Sequence, residues 1–503
     1  MLAVKTPDGR EVGFALSATP VLVLALLILY GLLARPLFLA QAPIPLEVVF
    51  LCAASAAFIQ LLLMGYPWTA IQGAIVNRLS RAMPGIFILF AIGLIVGSWM
   101  VCGTIPMLVY YGVLMIDPSW IYVLAFAVTA IFSTLTGTSW GSAGTIGVVI
   151  MGIGVSVGAA APIVAGAVIG GALFGDKLSP LSDTTNFAAI GAEVPLFEHI
   201  RSMLWTTVPS SIAALLVYST VGAMSQLDGG ERSADIEAFL SGLSSLFRYH
   251  VLLLLPPAVV LIGSFRRWPT LPVLLASTGT ATLLALILQP FATADVYASL
   301  TTGFELSMMP GAVVPDTVRQ LVERGGLYSM REAIFVAFLV FLFVGAIDLL
   351  DTMPRVVGRL FAFARGRIAT VLASLGASAV TNAMTSNQSA TSFIVGDAFG
   401  RRFDALGIPR PVLSRSIEDL GTMIESLIPW HPTALFMVAT LGVSVADYWH
   451  WQVLSLTNFI VAPVLAITGI GCFYAAAGSA SDDEVPLKAD EPSARAAGRE
   501  PAA

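Results

Sequence analysis

Apolar residues recur along the chain in runs of about 20, enough for a helix to cross ~30 Å of hydrocarbon, and short polar segments separate them. Runs begin near Phe14, Leu46, Pro84, Ala160, Met203, His250, Thr270, Glu332, Ser416 and Trp451. They predict an all-α polytopic membrane protein with about ten transmembrane helices. Arginines gather at Arg78 and Arg81, at Arg266 and Arg267, from Arg355 to Arg367, and from Arg401 to Arg415. By the positive-inside rule these segments face the cytoplasm. An even number of spans then leaves both termini cytoplasmic.

The sidedness closes if two further segments enter and leave the membrane on one side. One runs from Ile121 to Val157 around TGTSWGSAGT, and the other from Ala369 to Gly400 around TNAMTSNQSATS. Each arm reads as short for a full span, so two re-entrant hairpins with polar tips are expected, a backbone tolerated only inside protein or beside water. Two short spans in place of each hairpin is the competing topology. The chain then divides into an N-terminal span and loop (1–45), a first inverted repeat (46–224), a connecting loop and span (225–269), and a second inverted repeat (270–478). The polar tail 479–503 is expected to be disordered and cytoplasmic.

Composition narrows the function classes. Of 503 residues, 57% are hydrophobic and 11% charged, far below the roughly 25% charged content of soluble domains. The net charge of −6 sits mostly in loops and tail, and without a basic patch no nucleic-acid partner is expected. Cys52, Cys102 and Cys472 are too scattered for a metal or disulfide framework. There is no Gly-x-x-x-x-Gly-Lys phosphate loop and no convincing nucleophile and base pair, so neither an ATP-driven pump nor an enzyme is expected. No cofactor is expected beyond a transported or coupling ion.

The concentrated chemistry lies in FGDKLSPLSDTTNF, Phe174 to Phe187, directly after the uncharged AAAPIVAGAVIGGAL. An aspartate at the centre of a membrane helix costs about 2.5–3.5 kcal/mol on insertion scales, so two need a reason. Pro180 lacks an N–H and should release carbonyls of the preceding turn. With Asp176, Ser179, Ser182, Asp183, Thr184, Thr185 and Asn186 these form a set of hard oxygen donors for dehydrated sodium. Alternatively, a carboxylate here carries a proton. Lys177 stands beside both acids as their counter-charge.

A second interruption, SRSIEDLGTMIESLIPWHP, places Glu418, Thr422 and Glu425 on one helical face and Asp419 elsewhere. His431 follows as a candidate proton relay, whereas His199, His250 and His450 read as interfacial. At the tips, Thr136, Thr138 and Ser139, and likewise Ser386, Asn387 and Gln388, offer hydroxyls, amides and helix-end groups. Helix N-termini there suit an anion and unwound carbonyls a cation.

With GTSWGSAGTIG (Gly137–Gly147) and FGDKLSPLSDTTNFA (Phe174–Ala188), the chain resembles the NhaC-type sodium/proton antiporter family of the ion-transporter superfamily. LIVGSWMVCGTIPMLVYYG, EHIRSMLWTT, LSRSIEDLGT and LIPW extend the resemblance through most of the chain. It implies sodium/proton exchange across a bacterial inner membrane. Together with the paired acids it leads to alternating access in which Asp176 and Asp183 bind sodium in one state and protons in the other. Proton coupling is assigned to Asp176, Asp183, Glu418, Asp419, Glu425 and His431. Departures from the family pattern are Ser386–Asn387 where Gly–Asp is usual, His431 in place of asparagine, and Glu425 in place of a small polar residue. They keep open an alternative, sodium- or proton-coupled transport or exchange of a small organic acid or amino acid. The expected partners are sodium, protons, the lipid bilayer and a second copy in a homodimer.

Overall fold

The structure, a computed structural model, describes residues 6–7, 9–225 and 234–472; the tail 479–503 lies outside them. The long apolar runs form helices α1 (Phe14–Ala34), α2 (Leu46–Leu63) and α3 (Trp68–Cys102), followed by the shorter α4 (Thr104–Met115). Next come α5 (Pro118–Thr136), α6 (Ser139–Ser156) and α7 (Ala161–Leu178). The short α8 (Asp183–Gly191) and the long α9 (Leu196–Met224) complete this half.

The chain continues through α10 (Ala234–Leu246), α11 (Leu255–Phe265), α12 (Thr270–Leu288), α13 (Thr293–Thr302) and α14 (Asp316–Val322). The second half holds α15 (Leu327–Asp348), the amphipathic α16 (Thr352–Leu360), α17 (Gly366–Thr385) and α18 (Gln388–Ala405). It closes with α19 (Arg410–Ile424), α20 (Pro432–Leu441) and α21 (Val453–Thr468). Among the described residues, ten helices are long and apolar enough to cross a membrane.

These ten are not the ten read from the runs. The arms α5, α6 and α17 have 19, 18 and 20 residues, each of spanning length, so shortness gives no argument for re-entry. The span expected to start at Pro84 begins at Trp68 and has 35 residues, about 50 Å of helix. Pro84 removes one ladder donor without ending the helix, because α12 and α15 pack along it. Arg78 and Arg81 therefore lie inside α3 and not in a loop. The span expected to begin at His250 is the helix Val251–Phe265, and a 99° bend separates it from Ile236–Leu246 before it. Pro256 and Pro257 open its α-helical part, and the His250 ring caps the turn by accepting from Leu252 N.

Close approach of helices depends on missing side chains. A Cβ on Gly171 would overlap the Phe126 carbonyl oxygen, and one on Gly175 would overlap the Thr134 nitrogen, so α7 lies against α5 nearly backbone to backbone. Gly175→Val is expected to force these helices apart and cost about 1–3 kcal/mol or more. A fall in the melting temperature of the purified protein checks it.

α16 carries Arg355 and Arg359 opposite an apolar face, the pattern of a helix lying in a membrane interface. Arg355 donates to Val12 O at 2.8 Å, and the Arg359 guanidinium lies 5.0 Å from the centre of the Phe14 ring. The arginine-rich segment thus anchors the start of α1.

Candidate functional site

Two helix breaks build the first part of the site. Leu178 ends α7 because Pro180 cannot donate to the carbonyl of Asp176, four residues back. The Thr185 hydroxyl replaces that donor at 2.9 Å and also reaches Lys177 O at 3.3 Å. Asn186 Nδ2 donates to Pro180 O and Ser182 O at 3.2 and 2.7 Å, and Ser179 Oγ accepts from Leu181 N at 3.3 Å. Thr185, Asn186 and Ser179 therefore tie the break together, and carbonyls expected to face an ion are already bonded.

The side chain of Asp176 points into the protein and is 6% exposed. Its Oδ2 accepts from Ser139 Oγ at 2.7 Å and its Oδ1 from Ser182 Oγ at 2.6 Å; Ser182 Oγ is in turn 2.9 Å from Thr184 Oγ1. Asp183 is exposed at the first turn of α8, where its charge complements the helix dipole. The two aspartates are thus near each other in sequence but differently placed.

Ser139 comes from the first tip, between α5 and α6. Gly137 has φ +71°, Thr138 is extended, and Thr138 Oγ1 accepts from Gly141 N at 3.3 Å to cap α6. Thr136 Oγ1 is bonded within the tip, to Phe132 O at 3.0 Å and Ser142 Oγ at 3.1 Å. The second tip repeats the geometry. Ser386 has φ +49°, Asn387 is extended, and Asn387 Oδ1 accepts from Ala390 N at 2.8 Å to cap α18. Ser386 holds this left-handed conformation without being glycine, and its hydroxyl is buried without a partner.

The second tip meets the break after α19. Asn382 is the hub: its Nδ2 is 2.9 Å from Gln388 Oε1, 2.8 Å from Gly421 O and 3.0 Å from Glu425 Oε1. Its Oδ1 is 3.2 Å from His431 Nε2. Glu425 Oε2 accepts from Thr433 Oγ1 at 2.8 Å, and His431 Nδ1 caps α20 by accepting from Thr433 N. Trp140, next to Ser139, donates to Thr433 Oγ1 at 3.2 Å and stacks on Phe436 with ring centres 4.9 Å apart. Polar contacts therefore run from Asp176 through the first tip to Thr433, Glu425 and Asn382, joining the two breaks. Asp176, Glu418 and Glu425 also lie close enough to interact electrostatically.

Three residues take partners that the sequence did not indicate. Lys177 is fully buried and faces Asp419, Nζ to Oδ1 2.5 Å, not Asp176 or Asp183. Thr206 Oγ1 donates to the same oxygen at 2.8 Å, Asn458 Nδ2 donates to Asp419 O at 2.8 Å, and Arg415 lies 3.8 Å away. Asp419 is thus the centre of a buried pair. His199 is not interfacial: it is fully buried, with Nδ1 2.8 Å from Ser414 Oγ and Nε2 3.6 Å from Glu418 Oε2. Arg78 is buried and donates to Thr385 O at 2.9 Å, satisfying the end of α17 beside the second tip.

Among the described residues no cluster of three or more His, Cys, Asp or Glu has the arrangement of a metal centre.

The sequence profile of the Na+/H+ antiporter family matches residues 171–470. The chain is 34% identical over 469 residues to an uncharacterised Na+/H+ antiporter of Haemophilus influenzae, covering 93% of this chain and 99% of the relative. It is 37% identical over 436 residues to the Na+/H+ antiporter NhaC of Alkalihalophilus pseudofirmus, covering 85% and 90%. A malate-2H+/Na+-lactate antiporter of Bacillus subtilis is 30% identical over 427 residues, covering 83% and 88%. The profile spans the Asp176 break, the second tip and the Glu425 break, and the relatives match over nearly their whole length: the chain belongs to the Na+/H+ antiporter family.

Proposed function

We propose that the protein exchanges sodium for protons by alternating access, and that the two cations compete for Asp176. The observation that carries this reading is a buried carboxylate where the α7–α8 break meets the first tip, held on both oxygens by hydroxyls from separate segments. Ser139, Ser182 and Thr184 each keep lone pairs that can turn toward a dehydrated sodium ion. A proton on Asp176 removes the charge that would hold sodium and turns the carboxyl into a donor. Binding of one cation thus excludes the other, and that exclusion couples their fluxes.

The matched tips support two repeats of inverted topology, with the tips as re-entrant hairpins facing the α7–α8 and α19–α20 breaks. The arginine-rich segments support a bacterial inner-membrane location with both termini in the cytoplasm. Glu425 with Asn382 and His431, and Glu418 with His199, are the further proton-coupling groups. A second reading, exchange or cotransport of a small organic acid or amino acid, is favoured by a second tip that carries neutral Asn387 and Gln388.

In proteoliposomes with a luminal pH-sensitive dye, an external sodium pulse is expected to alkalinise the lumen. Absence of any sodium-evoked change would overturn the first reading; a change that requires a labelled organic acid would favour the second. Asp183, exposed at the mouth of the break, attracts the ion without enclosing it. Asp183→Asn is expected to raise the apparent KM for sodium more than it lowers the maximal rate. Complete loss of exchange would instead put Asp183 in the ion's coordination shell.

A further inference from the structure

About 10 Å along α20 from Thr433 lies a second polar region outside the carboxylate site. It is a cavity of about 420 Å³ whose lining includes Thr302, Glu323, Arg324, Ser329, Arg331 and Thr440. Arg78 and Gly97 locate it: they are 19 residues apart on α3, about 28 Å along the axis, and Gly97 packs against Gly326 beside the cavity. The cavity is therefore at the end of the bundle opposite the arginine-rich segments.

The Arg324 guanidinium is held by one bond, Nε to Gln320 O at 2.9 Å. Among the described residues its terminal nitrogens meet no acceptor, and no carboxylate lies within salt-bridge distance. Glu323, next in the chain, turns to Leu306 N at 3.4 Å. Burial lowers the pKa of Arg324 from the ordinary guanidinium value. Gly442 lies beside the fork: a Cβ there would be in ordinary contact with it, 3.5 Å from Nη1.

Thr440 stands across the cavity on α20. It lines the same cavity and is 5% exposed, and its hydroxyl is buried without any hydrogen bond, although helical threonines commonly bond back to the preceding turn. The backbone carrying Arg324 is closely packed: Gly303, Gly325 and Gly326 have φ of +90°, +86° and +79°, and a Cβ on Gly325 would meet Gly97 N at 2.6 Å. Thr440 lies seven residues after Thr433 on the same face of α20, with the buried Phe436 and Met437 between them.

We propose that this cavity is a binding site for a small organic carboxylate, gripped by the fork of Arg324. The planar fork matches a carboxylate with two parallel bonds, and the volume suits a molecule of several heavy atoms rather than a bare halide. The site stands whether or not sodium and protons compete at Asp176.

The test is isothermal titration of the purified full-length protein with sodium malate, lactate or acetate against sodium chloride at matched ionic strength, backed by melting-temperature shifts. At least one carboxylate is expected to bind and to raise the melting temperature where chloride does not. Arg324→Gln is expected to weaken that binding about tenfold or more, Arg324→Lys several-fold, and Asp176→Asn to leave it intact. Equal responses to chloride and carboxylates, no response to any carboxylate, or full binding by folded Arg324→Gln would each overturn the proposal.

Discussion

Asp176→Asn is expected to abolish sodium-evoked proton movement in proteoliposomes while leaving a folded, monodisperse protein. Asparagine keeps the size of the side chain and can still pair with Ser139 and Ser182, but it removes the charge and cannot exchange a proton. Removing one partner of a buried ionic interaction costs about 3–5 kcal/mol. In affinity for a cation this is a factor of at least ~10². Ser139→Ala and Ser182→Ala each delete one hydrogen bond to a charged group, about 1.5–3 kcal/mol, and should weaken sodium binding by roughly tenfold or more without ending exchange. Unchanged exchange by folded Asp176→Asn would remove this residue from the mechanism.

The second large effect is on stability. Lys177→Met leaves Asp419 buried with Thr206, Asn458 and the more distant Arg415, and Asp419→Asn leaves Lys177 buried without its counter-charge. Each single change is expected to cost about 3–5 kcal/mol, because an uncompensated charge remains in a low-dielectric interior. Lys177→Met combined with Asp419→Asn removes both charges and is expected to melt at a higher temperature than either single variant. If the pair is purely structural, the double variant also exchanges sodium for protons. Single variants that melt like the parent would show that the pair contributes nothing to stability.

Much of the architecture was legible because it is local. Apolar runs mark the helices, Pro180 marks the first break, and glycine or asparagine beside hydroxyl residues marks the tips. Asp176, Ser139 and Ser182 could be named for the same reason, since their chemistry contradicts their apolar surroundings. What could not be read was pairing across the bundle. Lys177 and Asp419 are 242 positions apart, and nothing in a helical period says which neighbour a side chain will meet. Length misled at the hairpin arms, because capping residues extend each helix to its tip. Asn382 and Asn458 were missed although each carried a signal: an asparagine inside a helix that must enter hydrocarbon needs a partner, and both have several.

Helix α3 touches two distant parts of the molecule. Near one end Arg78 grips the last carbonyl of α17, and further along Gly97 is wedged against the glycine crossing that carries Arg324. Between these grips the rod is softened at Pro84, where one rung of the backbone ladder is missing. A displacement of the second tip must therefore be absorbed as flexure at Pro84 or delivered, like the throw of a lever, to the chamber at the far end.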